Sequence, residues 1–175
     1  AAWSQEFGLV PICEPEILMD GSHTLDECAA TTERTLTMLF RGMEAQHVDP
    51  ALTILKTNMV LSGKALKKDT PDVVASATIR AFHHSLPATL PGIVFLSGGQ
   101  GSVQATENLD ACAREAQKTN APWTLSFSYG RALQDDALKL WGGKRENVPA
   151  AQTAFLKRAR LNSRAQEGKY ESGME

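Results

Sequence analysis

The 175-residue chain, with 42% hydrophobic and 22% charged residues, is long enough to form one domain around a sizeable core. Its formal net charge of −2 provides no overall basic field, which argues against nucleic acid or an anionic membrane surface as the main partner. The apolar runs, such as residues 92–96, are far shorter than the roughly 18 residues needed to cross a bilayer, so no membrane span is expected.

Four short apolar runs predict β-strands at residues 9–13, 52–55, 92–96 and 123–127. Segments with helical spacing separate them, and this alternation is typical of βαβ units around a parallel sheet. The predicted fold class is therefore α/β.

The helical segments follow in chain order. The first is predicted to begin near Thr24, whose hydroxyl can cap the helix with Glu27 as its reciprocal partner. The second is predicted to start at Pro71, because proline is favoured in the first helical turn. The remaining helical segments are predicted at residues 102–117, 132–140 and 150–164.

The number of strands indicates half of a larger architecture. Four strands at this spacing make half of a TIM (β/α)8 barrel, which usually takes about 250 residues. The chain also begins with Ala1 rather than methionine and reaches its first predicted strand within ten residues. We therefore expect residues 1–175 to be one unit, the last four strands and helices of a longer barrel. A complete small open sheet is the alternative.

The run that ends at Leu55 presents a single lysine, Lys56, at its carboxyl end. An ammonium held in an apolar interior is desolvated, which favours the neutral amine and makes it a nucleophile. Lys56 is therefore a candidate for Schiff-base chemistry. The alternative is that it follows the strand and points into solvent, as most lysines do.

Two turns between a strand and a helix are candidates for binding phosphate. Ser97 and Gly98 belong to a glycine-rich turn whose backbone N–H groups can cradle an anion together with the helix N-terminus. After the next strand, Gly130 can expose its backbone and Arg131 offers a guanidinium fork. Such glycine-rich turns are common, and a surface salt bridge is the alternative role for Arg131.

Glu14 and Glu16 flank Pro15 at the end of the first predicted strand, and strand alternation would place both carboxylates on one face. Such a pair can hold different protonation states. One can serve as a general acid or base while the other anchors a cation. A solvated loop is the alternative.

The cysteines and histidines give no sign of a disulfide framework or a metal site. Cys13, Cys28 and Cys112 lie in dissimilar contexts without CxxC spacing. The adjacent pair His83 and His84 would project in different directions from a helix. We expect core positions for the cysteines, no bound metal and a reducing, cytoplasmic compartment.

The four strand ends together closely resemble class I fructose-1,6-bisphosphate aldolase. The matching segments are Val10-Pro11-Ile12-Cys13-Glu14-Pro15-Glu16, Leu55-Lys56-Thr57-Asn58-Met59-Val60, Phe95-Leu96-Ser97-Gly98-Gly99-Gln100 and Phe127-Ser128-Tyr129-Gly130-Arg131-Ala132-Leu133-Gln134. They occur in the family's order and spacing over nearly the whole chain. The resemblance is to the carboxyl half of that barrel.

The resemblance implies a glycolytic lyase that cleaves fructose 1,6-bisphosphate without a cofactor, in a cytoplasmic homotetramer. Lys56 would form the Schiff base, Glu14 would assist proton transfer and Glu16 would orient charged neighbours. The residues implied to bind the C1 phosphate are Ser97, Gly98, Gly130 and Arg131, with Ser128 and Gln134 in supporting positions.

Departures from the family leave alternatives open. Thr57 stands where the family usually has proline, and the amino-half aspartate and lysines and the carboxyl tail with its tyrosine are not in this sequence. We therefore expect the isolated piece to lack full turnover. The alternatives are a non-catalytic sugar-phosphate- or protein-binding module and another Schiff-base lyase on the same barrel. The basic segment that contains Lys157 and Arg158 is predicted to be a solvated helix face, or else a contact for an acidic partner.

Overall fold

The computed structural model describes residues 1–175 and alternates helices with strands. The helices are α1 (Ala2–Glu6), α2 (Leu25–Ala45), α3 (Pro71–Ser85), α4 (Ser102–Lys118), α5 (Arg131–Trp141) and α6 (Val148–Ala165). The strands are β1 (Ile12–Cys13), β2 (Ile54–Thr57), β3 (Gly92–Phe95) and β4 (Thr124–Phe127). Short 3₁₀ turns occupy Pro50–Leu52, Arg145–Asn147 and Ser172–Met174.

The strands form one parallel sheet in the order β1-β2-β3-β4, so every neighbour in sequence is a neighbour in space. Lys56 pairs with Val94, which pairs in turn with Ser126, and these three residues form one row across the sheet. The predicted α/β class is confirmed.

The two faces of the sheet differ in burial. Leu55 and Ile93 are fully buried, and they belong to a cluster of 27 buried residues that the helices cover. The opposite face carries Ile54, Lys56 and Val94, which are only partly buried. Since side chains alternate along a strand, Lys56 lies on the open face and away from the helix-covered core.

Several predicted boundaries were wrong. Leu52 belongs to a 3₁₀ turn, which the Asp49 carboxylate caps by accepting the Ala51 N–H at 2.8 Å. The second strand therefore begins two residues later and includes Lys56, which the sequence placed after it. The first strand comprises only Ile12 and Cys13. Helix α1, with five residues, was not predicted because it is too short to show periodicity.

Helix starts follow the local signals. The Thr24 hydroxyl accepts the Glu27 N–H at 3.3 Å, and the Glu27 carboxylate accepts the Thr24 N–H at 2.7 Å, which confirms the capping box. The Thr24 N–H lowers the pKa of the Glu27 carboxyl below its ordinary range. Helix α3 begins at Pro71, as predicted. No helix of the protein has the length and apolarity that crossing a membrane requires.

One predicted surface cation is buried. Arg158, which the sequence placed on a solvated face of the last helix, is 6% exposed. Its guanidinium donates to both carboxylate oxygens of Glu175, at 2.7 and 2.8 Å, and Asp136 lies 3.7 Å away. Arg158 therefore links α6 to the segment that follows it and is not available to a partner.

Candidate active site

A lysine and a carboxylate meet where the first two strands end. Lys56 is the third residue of β2, and Glu14 directly follows the last residue of β1. Because the two strands are parallel and pair up to Cys13 and Leu55, their carboxyl ends lie side by side. Lys56 Nζ is 2.8 Å from Glu14 Oε1, so the amine and the carboxylate form a close ion pair.

The surroundings of Lys56 are not the apolar interior that the sequence suggested. Its side chain is 22% exposed, since it projects from the open face of the sheet. Desolvation alone therefore does not provide its reactivity. The geometry instead offers the amine a base within hydrogen-bonding distance, and a carboxylate in that position can accept and return a proton.

Glu16 does not join this pair. It is exposed and forms no ion pair, and β1 ends at Cys13, so strand alternation does not govern the position of Glu16. The backbone N–H of Ile17, the next residue, donates to Asn58 Oδ1 at 3.1 Å. Sequence reasoning did not assign a role to Asn58, although an amide two residues after the lysine in an apolar run was a signal that could have found it.

The turn after β3 has the geometry of an anion cradle. Ser97 is 8% exposed, and Gly98 and Gly99 follow with φ of 54° and 76°. These left-handed conformations suit glycine and allow the backbone to double back tightly. Helix α4 then begins at its N-cap, Gly101, without a side-chain cap, so its first N–H groups remain available to an anion.

A buried amide relay fixes this turn. The Gln100 side chain donates to the Ser97 carbonyl at 3.0 Å and accepts from Asn108 Nδ2 at 2.6 Å. Asn108 lies on α4 and is 1% exposed. This pair of amides was not predicted from the sequence, where its signal is an asparagine beside Leu109 in the otherwise apolar stripe of the helix.

The turn after β4 is held by its tyrosine. The Ser128 N–H donates to the Phe95 carbonyl at 2.8 Å, and the Tyr129 hydroxyl donates to the Ala105 carbonyl at 3.0 Å. Burial raises the pKa of Tyr129 well above its ordinary value, so the phenol remains a neutral donor. Gly130 is the N-cap of α5 and Arg131 its first residue.

The side chains around this second turn face solvent. Ser128, Gly130, Arg131 and Gln134 are all exposed, whereas Tyr129 between them is buried. No ion pair occupies the Arg131 guanidinium. The surface salt bridge considered as its alternative role is absent from the structure.

The candidate residues therefore share one edge of the sheet. Lys56 lies near the end of β2, Ser97 follows β3 and Arg131 follows β4, and all three strands are parallel neighbours. An amine with an adjacent base, beside two turns suited to anions, can form an imine with the carbonyl group of a phosphorylated compound. No group of three or more His, Cys, Asp or Glu side chains is arranged to hold a metal ion.

Comparison with known proteins decides the family. The family model described as fructose-bisphosphate aldolase class-I, glycolytic, matches residues 1–175. The chain belongs to the class I fructose-bisphosphate aldolase family. The chain is 53% identical over 166 residues to the cytosolic fructose-bisphosphate aldolase 6 of Arabidopsis thaliana, and 50% identical over 167 residues to fructose-bisphosphate aldolase B of Ovis aries.

The aldolase relatives are about twice as long as this chain. The matches cover 95% of the chain but only 46% of the Arabidopsis protein and 45% of the sheep protein. A solved fructose-bisphosphate aldolase of Plasmodium falciparum, in complex with TRAP and a small-molecule inhibitor, superposes with a TM-score of 0.93 at 42% identity. That match covers 99% of this chain and 49% of the Plasmodium chain, so the fold is about half of an aldolase barrel.

Proposed function

We propose that this chain carries the Schiff-base site of a glycolytic lyase that reversibly cleaves fructose 1,6-bisphosphate to dihydroxyacetone phosphate and glyceraldehyde 3-phosphate. The observation that carries the proposal is the 2.8 Å contact between Lys56 and Glu14 at the carboxyl edge of a parallel sheet, in a member of this family. Residues 1–175 act as a single domain, the carboxyl half of the barrel.

In the proposed chemistry, the neutral amine of Lys56 attacks the C2 carbonyl of the open-chain sugar and forms a carbinolamine. Glu14 carries one proton from the attacking nitrogen to the carbonyl oxygen, which becomes a hydroxyl, and a second proton taken from solvent lets that hydroxyl leave as water. The resulting protonated imine accepts the electron pair released when the C3–C4 bond breaks, and C4 leaves as an aldehyde after its hydroxyl gives its proton to a base that the resemblance places in the amino half of the barrel. Glu16 is exposed and forms no ion pair within the chain. In this proposal it orients charged groups that come close to it when substrate binds.

The two turns bind the C1 phosphate in this proposal. Ser97 and Gly98 supply the first cradle, and Gly130 and Arg131 supply backbone and guanidinium donors from the second. Ser128 and Gln134 support the second turn. The exposure and free guanidinium of Arg131 support this assignment, because a bidentate Arg–phosphate contact needs an unpaired fork.

The relatives suggest the cellular setting. Several are named as cytosolic or cytoplasmic isozymes, which supports a cytoplasmic location for this chain. We propose a homo-oligomer, a tetramer by resemblance, with small sugar phosphates as ligands and with neither nucleic acid nor membrane as a partner.

Solvent exchange tests the proposal. Imine formation labilises one C3 proton of dihydroxyacetone phosphate, so incubation with the protein in deuterium oxide should remove one proton signal from its NMR spectrum. The control is Lys56→Arg, which keeps the charge but cannot form the imine under these conditions. The less favoured function, a non-catalytic binding module, predicts that the ligand binds, keeps both protons and leaves Lys56 unmodified after borohydride reduction.

A further inference from the structure

The regular pairing between β1 and β2 ends one residue before Glu14 and Lys56. The register joins Ile12 to Ile54 and Cys13 to Leu55, and no ladder pair follows. Glu14 is the first residue after this two-residue strand. A loop that begins there has no ladder to fix its direction, and ordering it costs conformational entropy unless other contacts compensate.

Asn58, which directly follows the strand that carries Lys56, supplies such a contact. Its Oδ1 accepts the Ile17 N–H at 3.1 Å and lies 3.4 Å from the Thr57 hydroxyl. Its Nδ2 donates to the Met59 carbonyl at 3.1 Å and lies 3.4 Å from the Thr32 hydroxyl on α2. Asn58 is 1% exposed, so a fully partnered and buried amide holds one orientation.

The segment of residues 14–16 is thereby fixed at both ends. Cys13 ends the ladder on one side, and the N–H of Ile17 is bound on the other. The partner of Cys13 is Leu55 in β2, and the partner of Ile17 is Asn58, the residue after β2. Asn58 does not contact Lys56 or Glu14 through any hydrogen bond, so its effect on the pair passes through the backbone of this short segment.

We propose that Asn58 is a positioning residue that holds the Glu14 carboxylate against Lys56. The proposal deepens the imine chemistry proposed above and rests on it for its catalytic meaning. The Thr57 hydroxyl lies beside the same Asn58 oxygen, as a second donor at 3.4 Å. In this chain Asn58 Oδ1 therefore faces two donors.

The first experiment measures the reactivity of Lys56 without any sugar phosphate. The Glu14 carboxylate lies 2.8 Å from the Lys56 amine, so it competes with an electrophile for approach to that nitrogen. We expect acetic anhydride to modify Lys56 about three- to tenfold faster in Asn58→Ala and in Glu14→Gln, because both variants weaken the contact between the side chain of residue 14 and the amine. Peptide mass spectrometry gives the rate, with exposed Lys144 as the internal reference.

The matched control is Asn162→Ala. Asn162 is also a fully buried amide, but it lies on α6 and accepts from Thr106 at 2.8 Å, away from residues 14–17. This variant should acetylate Lys56 at the parent rate. The proposal is overturned if Asn58→Ala acetylates at the parent rate, or if Asn162→Ala accelerates the reaction as much.

The parent protein provides a test that needs no variant. Amide hydrogen exchange should show the Ile17 N–H protected in the native state, because it donates to a buried acceptor. Exchange at the rate of an unstructured amide would overturn the proposal even if Asn58→Ala does not fold.

Imine trapping separates this proposal from the proposed function. Borohydride reduction in the presence of dihydroxyacetone phosphate should give an adduct on Lys56, formed more slowly in Asn58→Ala with little change in the half-saturating concentration. If the parent protein gives no adduct but the acetylation rates respond as predicted, the positioning role stands and the lyase function fails. If the adduct forms equally fast in both proteins, the lyase function stands and the positioning role fails.

Discussion

Lys56 Nζ and Glu14 Oε1 lie 2.8 Å apart, although Lys56 belongs to β2 and Glu14 follows β1. The parallel pairing of Cys13 with Leu55 brings the strand ends together, and the open face of the sheet leaves the amine accessible. An amine and a carboxylate thus meet at the carboxyl edge, where barrels of this type place their active sites.

Removing the charge from Glu14 should slow the chemistry more than the binding. For Glu14→Gln we expect the maximum rate of borohydride trapping at Lys56 to fall about 100-fold, the scale of a lost general acid–base group. The half-saturating concentration of dihydroxyacetone phosphate should change little. Glu44→Gln, an exposed carboxylate on α2, is the control, and an equal loss in both variants would contradict the role of Glu14.

Arg131 should distinguish a phosphorylated ligand from its neutral analogue. Loss of a charge-assisted contact in Arg131→Ala should weaken dihydroxyacetone phosphate binding about 10- to 100-fold. Dihydroxyacetone itself should be trapped on Lys56 as readily as before. The matched control is Arg80→Ala, an exposed arginine on α3. Equal losses for both ligands would show that Arg131 does not recognise the phosphate.

Two glycine substitutions should have opposite effects on stability. Gly98 has φ of 54°, so Gly98→Ala should lower the free energy of unfolding by about 1 kcal/mol through backbone strain. Gly42 lies inside α2 with open space around it, so Gly42→Ala should raise that free energy by about 0.5–1 kcal/mol. Urea denaturation measures both, and stabilisation by Gly98→Ala would contradict the turn geometry.

The protein should lose stability in alkali. Burial raises the pKa of Cys112 from 9.0 to about 12, whereas the unfolded thiol keeps its ordinary value. Above pH 9 the unfolded chain therefore binds fewer protons than the native state, so the free energy of unfolding should fall by about 1 kcal/mol per pH unit for this group.

Urea midpoints between pH 8 and pH 10.5 test this slope. In Cys112→Ala the urea midpoint should fall less steeply between pH 9 and pH 10. Above pH 10 it should still fall, because burial also raises the pKa of Tyr129. A midpoint that stays constant up to pH 10.5 in the parent protein would contradict the burial of both groups.

The sequence predicted the parts of the fold that local chemistry controls. Thr24 with Glu27, and Pro71, mark helix starts through hydrogen bonding and backbone restriction within a few residues. The start of β2 was misplaced because the Asp49 cap and Pro50 divert the chain into a 3₁₀ turn before the strand. An apolar run alone does not show which of its residues pair with a neighbour.

The site was harder to predict where residues act through long-range contacts. Lys56, Ser97 and Arg131 stand at strand ends, which the alternation of elements marks in the sequence. Asn58 and Asn108 bind residues from other segments, and no local pattern specifies those partners. The burial of Arg158 escaped prediction for the same reason, since its carboxylate partner lies on a separate segment.

Covalent capture at Lys56 tests the central claim most directly. The purified protein is incubated with dihydroxyacetone phosphate, reduced with borohydride and analysed by intact mass and peptide mapping, with Lys56→Arg treated in parallel. The account predicts one adduct, located on Lys56 and absent from the variant. A folded protein that binds the ligand but carries no adduct on Lys56 would contradict it.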